Sequence, residues 1–173
     1  GVSEGRFPDG STNLVTFPGT DSPGASNWRW LTNVVINEVL THTDPPLEDA
    51  IELRNLTGQP LDVGGWWLSD DYGTLQKYQI PAPWVIPAYG FTVIYENQFT
   101  NRELAAIPFA ISSQGDEIVL SAFSQNAFTG WRAQVKFGAA PGGVSFGRYV
   151  TSDRREEFVA MSAQTFGVLD PED

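Results

Sequence analysis

The segment Gly143-Val144-Ser145-Phe146-Gly147 fits the G-x-S-x-G pattern of a nucleophilic serine, and Gly1-Val2-Ser3-Glu4-Gly5 fits it again. Such a serine works from a sharp strand-to-helix turn, with a histidine to take its proton. Here the motif runs into Arg148-Tyr149-Val150, a strand-like stretch, and the one histidine, His42, lies far upstream. Both copies therefore read as strand elements, and no catalytic residue is assigned. Carboxylate pairs such as Glu38 with Glu52 or Asp70 with Asp71 could serve glycoside hydrolysis, although any acidic surface offers such pairs. Asp44, Glu48, Asp49, Asp70 and Asp71 lie in or beside loops, where hard cations such as calcium find oxygen ligands. The EF-hand pattern is absent, and the same acids suit solvated turns. A lone histidine makes no transition-metal site, so metal ligands stay unassigned and calcium is the one ion the sequence leaves open. Trp67, Trp84 and Trp131, with Trp28 and Trp30 further upstream, could stack on sugars if exposed. The same rings equally fill a small core, or, for Trp28 and Trp30, pack between tandem domains.

The composition narrows the partners. The chain has 173 residues and a net charge of −11. That excess of acid opposes binding to duplex nucleic acid, which needs clustered cations, and to an anionic membrane surface. There is no cysteine, so thiol chemistry and disulfides are excluded. At 41% apolar and 13% aromatic residues, the chain can bury a core. No apolar run approaches the roughly 20 residues of a membrane helix, and no signal-peptide pattern opens the sequence. A protein that is exported must then carry its targeting segment elsewhere.

Short apolar–polar alternations, punctuated by 17 Gly and 12 Pro, predict an all-β sandwich or barrel of about nine short strands. They are Asn33–Leu40, Ala50–Asn55, Leu61–Ser69, Lys77–Ile80, Gly90–Tyr95, Glu117–Ala122, Trp131–Phe137, Val144–Val150 and Glu157–Met161. One helical turn is expected at Asn101–Ala106, capped by Asn101.

The sequence also repeats itself. Gly1-Val2-Ser3-Glu4-Gly5-Arg6-Phe7 returns, 142 residues on, as Gly143-Val144-Ser145-Phe146-Gly147-Arg148-Tyr149. Each copy continues through a polar turn and an apolar strand, Leu14–Phe17 against Phe158–Met161. Each then reaches Ser22-Pro23-Gly24 or Thr165-Phe166-Gly167. Residues 1–28 thus read as the closing strands of a preceding repeat plus a linker (Asp21–Asn27), and residues 29–173 as the next complete domain. The leader must pack on its own chain, or pair in trans with another copy to give a dimer.

Val34-Val35-Ile36-Asn37-Glu38-Val39, Ile51-Glu52-Leu53-Arg54-Asn55 and Gly65-Trp66-Trp67-Leu68-Ser69-Asp70 resemble the opening blocks of a lamin tail domain of bacterial type. Tyr78–Pro81, Val85–Gly90, Ser112–Leu120 and the closing Ser-x-Gly-Arg-aromatic block continue the resemblance to about residue 167. It implies an immunoglobulin-like β-sandwich and a non-catalytic structural or interaction module. It further implies a unit of a tandem array in a larger, exported bacterial protein, extracellular or on the cell surface. Expected partners are neighbouring domains or other proteins, with glycans or calcium as the adhesion alternative. Strand alternation puts Trp66 and Leu68 on one face and Trp67 on the other. The resemblance makes Trp66 the core member, so Trp67 is expected partly outside. Glu52 should face away from the core, Asn55 should bond the following turn, and Arg148 should find a carboxylate at the sandwich end.

Overall fold

The computed structural model describes residues 2–168. Gly1 of the first repeat copy, and residues 169–173 of the expected domain 29–173, lie outside the described residues. Among the described residues the chain forms fourteen strands and one short helix. The strands are β1 (Val2–Arg6), β2 (Leu14–Pro18), β3 (Arg29–Trp30), β4 (Val34–Leu40), β5 (Ala50–Asn55), β6 (Leu61–Asp62) and β7 (Trp67–Ser69). They continue with β8 (Tyr78–Gln79), β9 (Val85–Ile86), β10 (Phe91–Tyr95), β11 (Gly115–Ser124), β12 (Ala127–Gly138), β13 (Ser145–Val150) and β14 (Glu156–Ala160); helix α1 is Glu96–Phe99. One five-stranded sheet runs β10-β5-β4-β13-β14 and a second runs β3-β12-β11-β7-β8. The pairs are antiparallel except β3 with β12. The fold is an immunoglobulin-like β-sandwich.

The core forms where the two sheets turn their apolar alternation toward each other: Val34, Ile36, Val39, Ile51, Leu53 and Ile94 from the first, Leu68, Tyr78, Ile118, Leu120 and Phe137 from the second. Ile36 and Val39 share a face despite the odd spacing, because the β4–β5 register shifts between Ile36 and Glu38. The extra residue, Asn37, is a bulge, and a bulge re-aims every side chain beyond it. Asn55 closes β5: its Nδ2 donates to the carbonyls of Gln59, Ile86 and Pro87, and its Oδ1 accepts from the Thr57 amide at 2.9 Å.

Two expectations are corrected. Trp67 does lie on the face opposite Leu68, but it is only 9% exposed. Its ring meets Phe123 edge-on at 6.2 Å, Phe123 meets Phe128 at 5.3 Å, and residues 73–76 and 106–107 flank this second cluster. Trp66 is only partly buried against the main core. Alternation chose the face correctly; it could not reveal that loops would cover it. The helix at Glu96–Phe99 is an element the sequence reading did not locate, while the helical turn expected at Asn101–Ala106 forms, with the Glu103 amide donating to Asn101 Oδ1. Asn101 caps a lone turn, its carbonyl taking the amides of both Leu104 and Ala105, and Pro108 follows too soon for a helix to grow.

The leader folds as the β1–β2 hairpin and docks on its own chain. Phe7, 8% exposed, lies edge-on to Trp131 at 5.5 Å, and Arg29 stacks on both rings. Gly130 adopts φ +83°, and a Cβ there would sit 2.6 Å from the Phe7 ring, so only glycine permits the approach. The expected linker folds back as well: Asn27 donates from Nδ2 to the Arg6 carbonyl and from its amide to Asp9.

Trp67→Ala should cost about 3–5 kcal/mol in urea unfolding, the usual loss for a large buried ring, and at least as much as Trp66→Ala. A Trp67 loss well below the Trp66 loss would return that ring to the surface.

Candidate functional site

The bulge at Asn37 has a consequence on the outer face of the first sheet. It brings Glu38 directly opposite Glu52 on the neighbouring strand, and both carboxylates are fully buried. Residues 165–167 lie over them. The Thr165 amide donates to Glu38 at 3.0 Å and its Oγ1 at 2.7 Å, while the Gly167 amide and Asn37 Nδ2 donate to Glu52. A buried carboxylate needs such donors, and amide-to-carboxylate bonds are among the stronger hydrogen bonds available. Burial pushes the Glu52 carboxyl up to about 7. The bonds from Gly167 and Asn37 work against that rise, and the neighbouring Glu38 adds to it. Glu52 thus faces away from the core as expected, yet out of water. Neither carboxylate reaches solvent, so this pair cannot meet a glycosidic oxygen; it clasps backbone.

The other candidates are not brought together. Ser145, 1% exposed, sits in β13 and Ser3 in β1, so the serine of each G-x-S-x-G segment lies on an extended strand. His42 is an exposed loop residue at φ +60° whose Nδ1 bonds the Ala140 carbonyl. Asp70 pairs with Lys77. Asp71 caps its own turn through Gly73 and Thr74, which holds its carboxyl below the usual range. Glu48 accepts from Asn97. Asp49 accepts from Thr43 Oγ1 at 2.8 Å, and burial raises its carboxyl. Among the described residues no group of three or more His, Cys, Asp or Glu converges as a metal site would.

Of the tryptophans proposed as sugar platforms, Trp67 is buried and is withdrawn. Trp84 is partly buried and spends its Nε1 on Thr92 Oγ1. Trp28 and Trp30 pack on each other at 4.8 Å. Trp131 receives Phe7 on one side and lines a cleft with Trp66 on another. Arg148 pairs with Glu156 of the adjacent strand.

Sequence reasoning missed Asn37, Thr165 and Gly167 as the donors to the pair. The signal was in the repeat, because the two copies adopt the same geometry. Gly5 lies opposite Val15 and Gly147 opposite Val159. Each glycine is covered by the large apolar residue two places beyond its cross-strand valine, Phe17 or Met161, with Asn27 also lying against Gly5. Gly24 and Gly167 have φ +79° and +77°. Each sits third in a four-residue turn closed by one bond, from the Ala25 amide to the Ser22 carbonyl at 3.0 Å or from the Val168 amide to the Thr165 carbonyl at 3.1 Å.

In comparisons with known proteins, residues 31–137 match the family model described as Lamin Tail Domain. No curated protein and no solved structure matches the chain. The matched region holds Trp66, Trp67, Trp84, Trp131 and the glutamate pair, leaves Trp28 and Trp30 outside, and stops short of β13 and β14, which complete the first sheet.

With the carboxyl of Glu52 raised, the folded chain keeps a proton that the unfolded chain releases near pH 4.5. This contribution is therefore fully present below that pH and is lost as the pH rises through about 7. Glu52→Gln keeps the acceptor for Gly167 and removes the titration. It should flatten the fall in melting temperature between pH 5 and 8, on the order of 3 kcal/mol at the upper end. Parallel profiles for the variant and the parent chain would show that Glu52 ionises freely.

Proposed function

This chain belongs to the lamin tail domain family, a family of non-enzymatic immunoglobulin-like domains, and we propose that it serves as a non-catalytic interaction module. It is one unit of a tandem lamin-tail array in a larger bacterial protein that works outside the cell or on its surface. The observation that carries this reading is the duplicated closing hairpin. β1–β2 and β13–β14 share the Gly–Val cross-strand pair, the covered glycine and the turn with its left-handed glycine. The first lies against the domain's end through Phe7, Trp131 and Arg29, in the manner of a contact between successive repeats. An antibody to this segment should detect a polypeptide several repeats long in the secreted or surface fraction of the source cells. A single 19.0 kDa species confined to the cytosol would overturn the array.

One cleft favours a second reading, binding of a neutral glycan. It measures about 470 Å³ and is lined by Trp66, Trp131 and Phe123, with Thr32, Asn33, Ser124 and Thr129 at its polar positions and no charged side chain. That volume falls in the range of small-molecule sites, and an uncharged lining in a chain of net charge −11 suits a polyol rather than an ion. Cellohexaose or chitohexaose should quench tryptophan emission, and Asn33→Ala should weaken the response several-fold. An unchanged spectrum with both sugars would strike out the glycan.

A further inference from the structure

In the second repeat copy the closing hairpin is held in two ways. The edge of β13 pairs with β4, placing Ser145, Phe146 and Gly147 opposite Leu40, Val39 and Glu38. The Thr165–Gly167 turn then clasps Glu38 and Glu52. The first copy carries the same equipment, but what it holds is the side chain of Asn27, which lies beside Gly5 and bonds Ser22 Oγ and the Arg6 carbonyl, a neutral amide that an incoming carboxylate would displace. β1 pairs with β2 alone among the described strands, and Val2 and Leu14 are 70% and 71% exposed. Ser22 bonds only Asn27 through its hydroxyl, and Gly24 is exposed. Neither residue meets a carboxylate among the described residues.

Resting on the array reading, we propose that the hairpin Val2–Pro18 with the Ser22–Gly24 turn is a docking element for a sheet edge carrying a cross-strand pair of buried glutamates, and that its partner is a lamin-tail sandwich upstream in the same polypeptide. The contact is strand addition along β1, with one glutamate opposite Gly5 and a second on the next strand. The Ser22 amide and hydroxyl take the first carboxylate and the Gly24 amide takes the second. A second copy of this chain is the poorer occupant, because its own β13 already fills the equivalent edge of β4.

One position says more about the partner. Phe146, which stacks on Phe137 in the core at 5.1 Å, is matched in the leader by Glu4. The partner's interior must then offer Glu4 a cation or hydrogen-bond donor where this chain has Phe137, since an unpaired carboxylate there would be costly.

The test grafts the leader onto this chain's own sandwich. In the full chain, Val144–Gly167 is replaced by the segment Val2–Gly24, once unchanged and once with Glu4→Phe to suit Phe137. The Glu4→Phe graft should melt cooperatively and well above the unchanged graft. Glu52→Gln in that graft should flatten its pH profile, because the grafted turn buries the Glu52 carboxyl as residues 165–167 do in the parent chain. A Glu4→Phe graft without a cooperative melt, or one indifferent to Glu52→Gln, overturns the docking assignment. The array reading would survive that result, since it is decided separately by the length and location of the native polypeptide. Equal melts of the two grafts would overturn the requirement placed on the partner at Glu4. Sedimentation of the unaltered chain should give a monomer; a dimer lost on deletion of residues 1–28 would overturn the upstream partner in favour of a second copy.

Discussion

Two carboxylates lie side by side on the outer face of a sheet with no water to solvate them, and the chain must supply their donors itself. Glu38 and Glu52 face each other only because Asn37 is an extra residue in β4. The same Asn37 then turns its amide onto Glu52. The remaining donors come from Thr165 and Gly167, more than a hundred residues away in sequence. A pair so placed would be expensive if left open, so its satisfaction requires residues 165–167 to lie over the sheet. That in turn seats Met161 on Gly147, where a Cβ would be 2.7 Å from sulfur. One bulge thus ties the closing hairpin to the opening strands without a disulfide, in a chain that has no cysteine.

How much of this was legible depended on range. Alternation and turn residues located the main strands, because both act within a few residues. Asn55 was readable for the same reason, since an Asn before Thr57-Gly58 bonds its own turn. The two-residue strands β6 and β9 were harder, because two residues carry no alternation; Leu61–Ser69 read as one strand where Val63–Trp66 in fact turns. Trp67 shows the deeper limit. A period of two gives the face a side chain occupies, but whether another segment covers that face is a long-range matter. Glu52 fails in the same way and with the opposite chemistry, buried on a face that alternation rightly placed away from the core.

The repeat carried information that neither periodicity nor composition held. Read as sequence, Ser22-Pro23-Gly24 and Thr165-Phe166-Gly167 merely keep register. Read as structure, they mark a turn with a left-handed glycine that exposes amides in one direction. Serine and threonine share the hydroxyl that reaches a carboxylate, and glycine alone adopts that φ cheaply. The residues the clasp needs are thus among those that match between the copies, while Glu4 and Phe146 differ.

The same physics bears on why the tempting nucleophile motif recurs. Among the described residues its glycines answer to packing and to the turn before the strand. Gly147 must admit Met161 and Gly5 must admit Phe17, while Gly143 turns the chain at φ +75° into β13. Ser145 between them is buried on an extended strand, where its hydroxyl has neither the sharp turn nor the base that activation requires. A strand that must lie flat against its neighbours on both edges cannot also project a nucleophile. The demands that close the sandwich thus account for Gly5, Gly143 and Gly147 and for the burial of Ser145 between them.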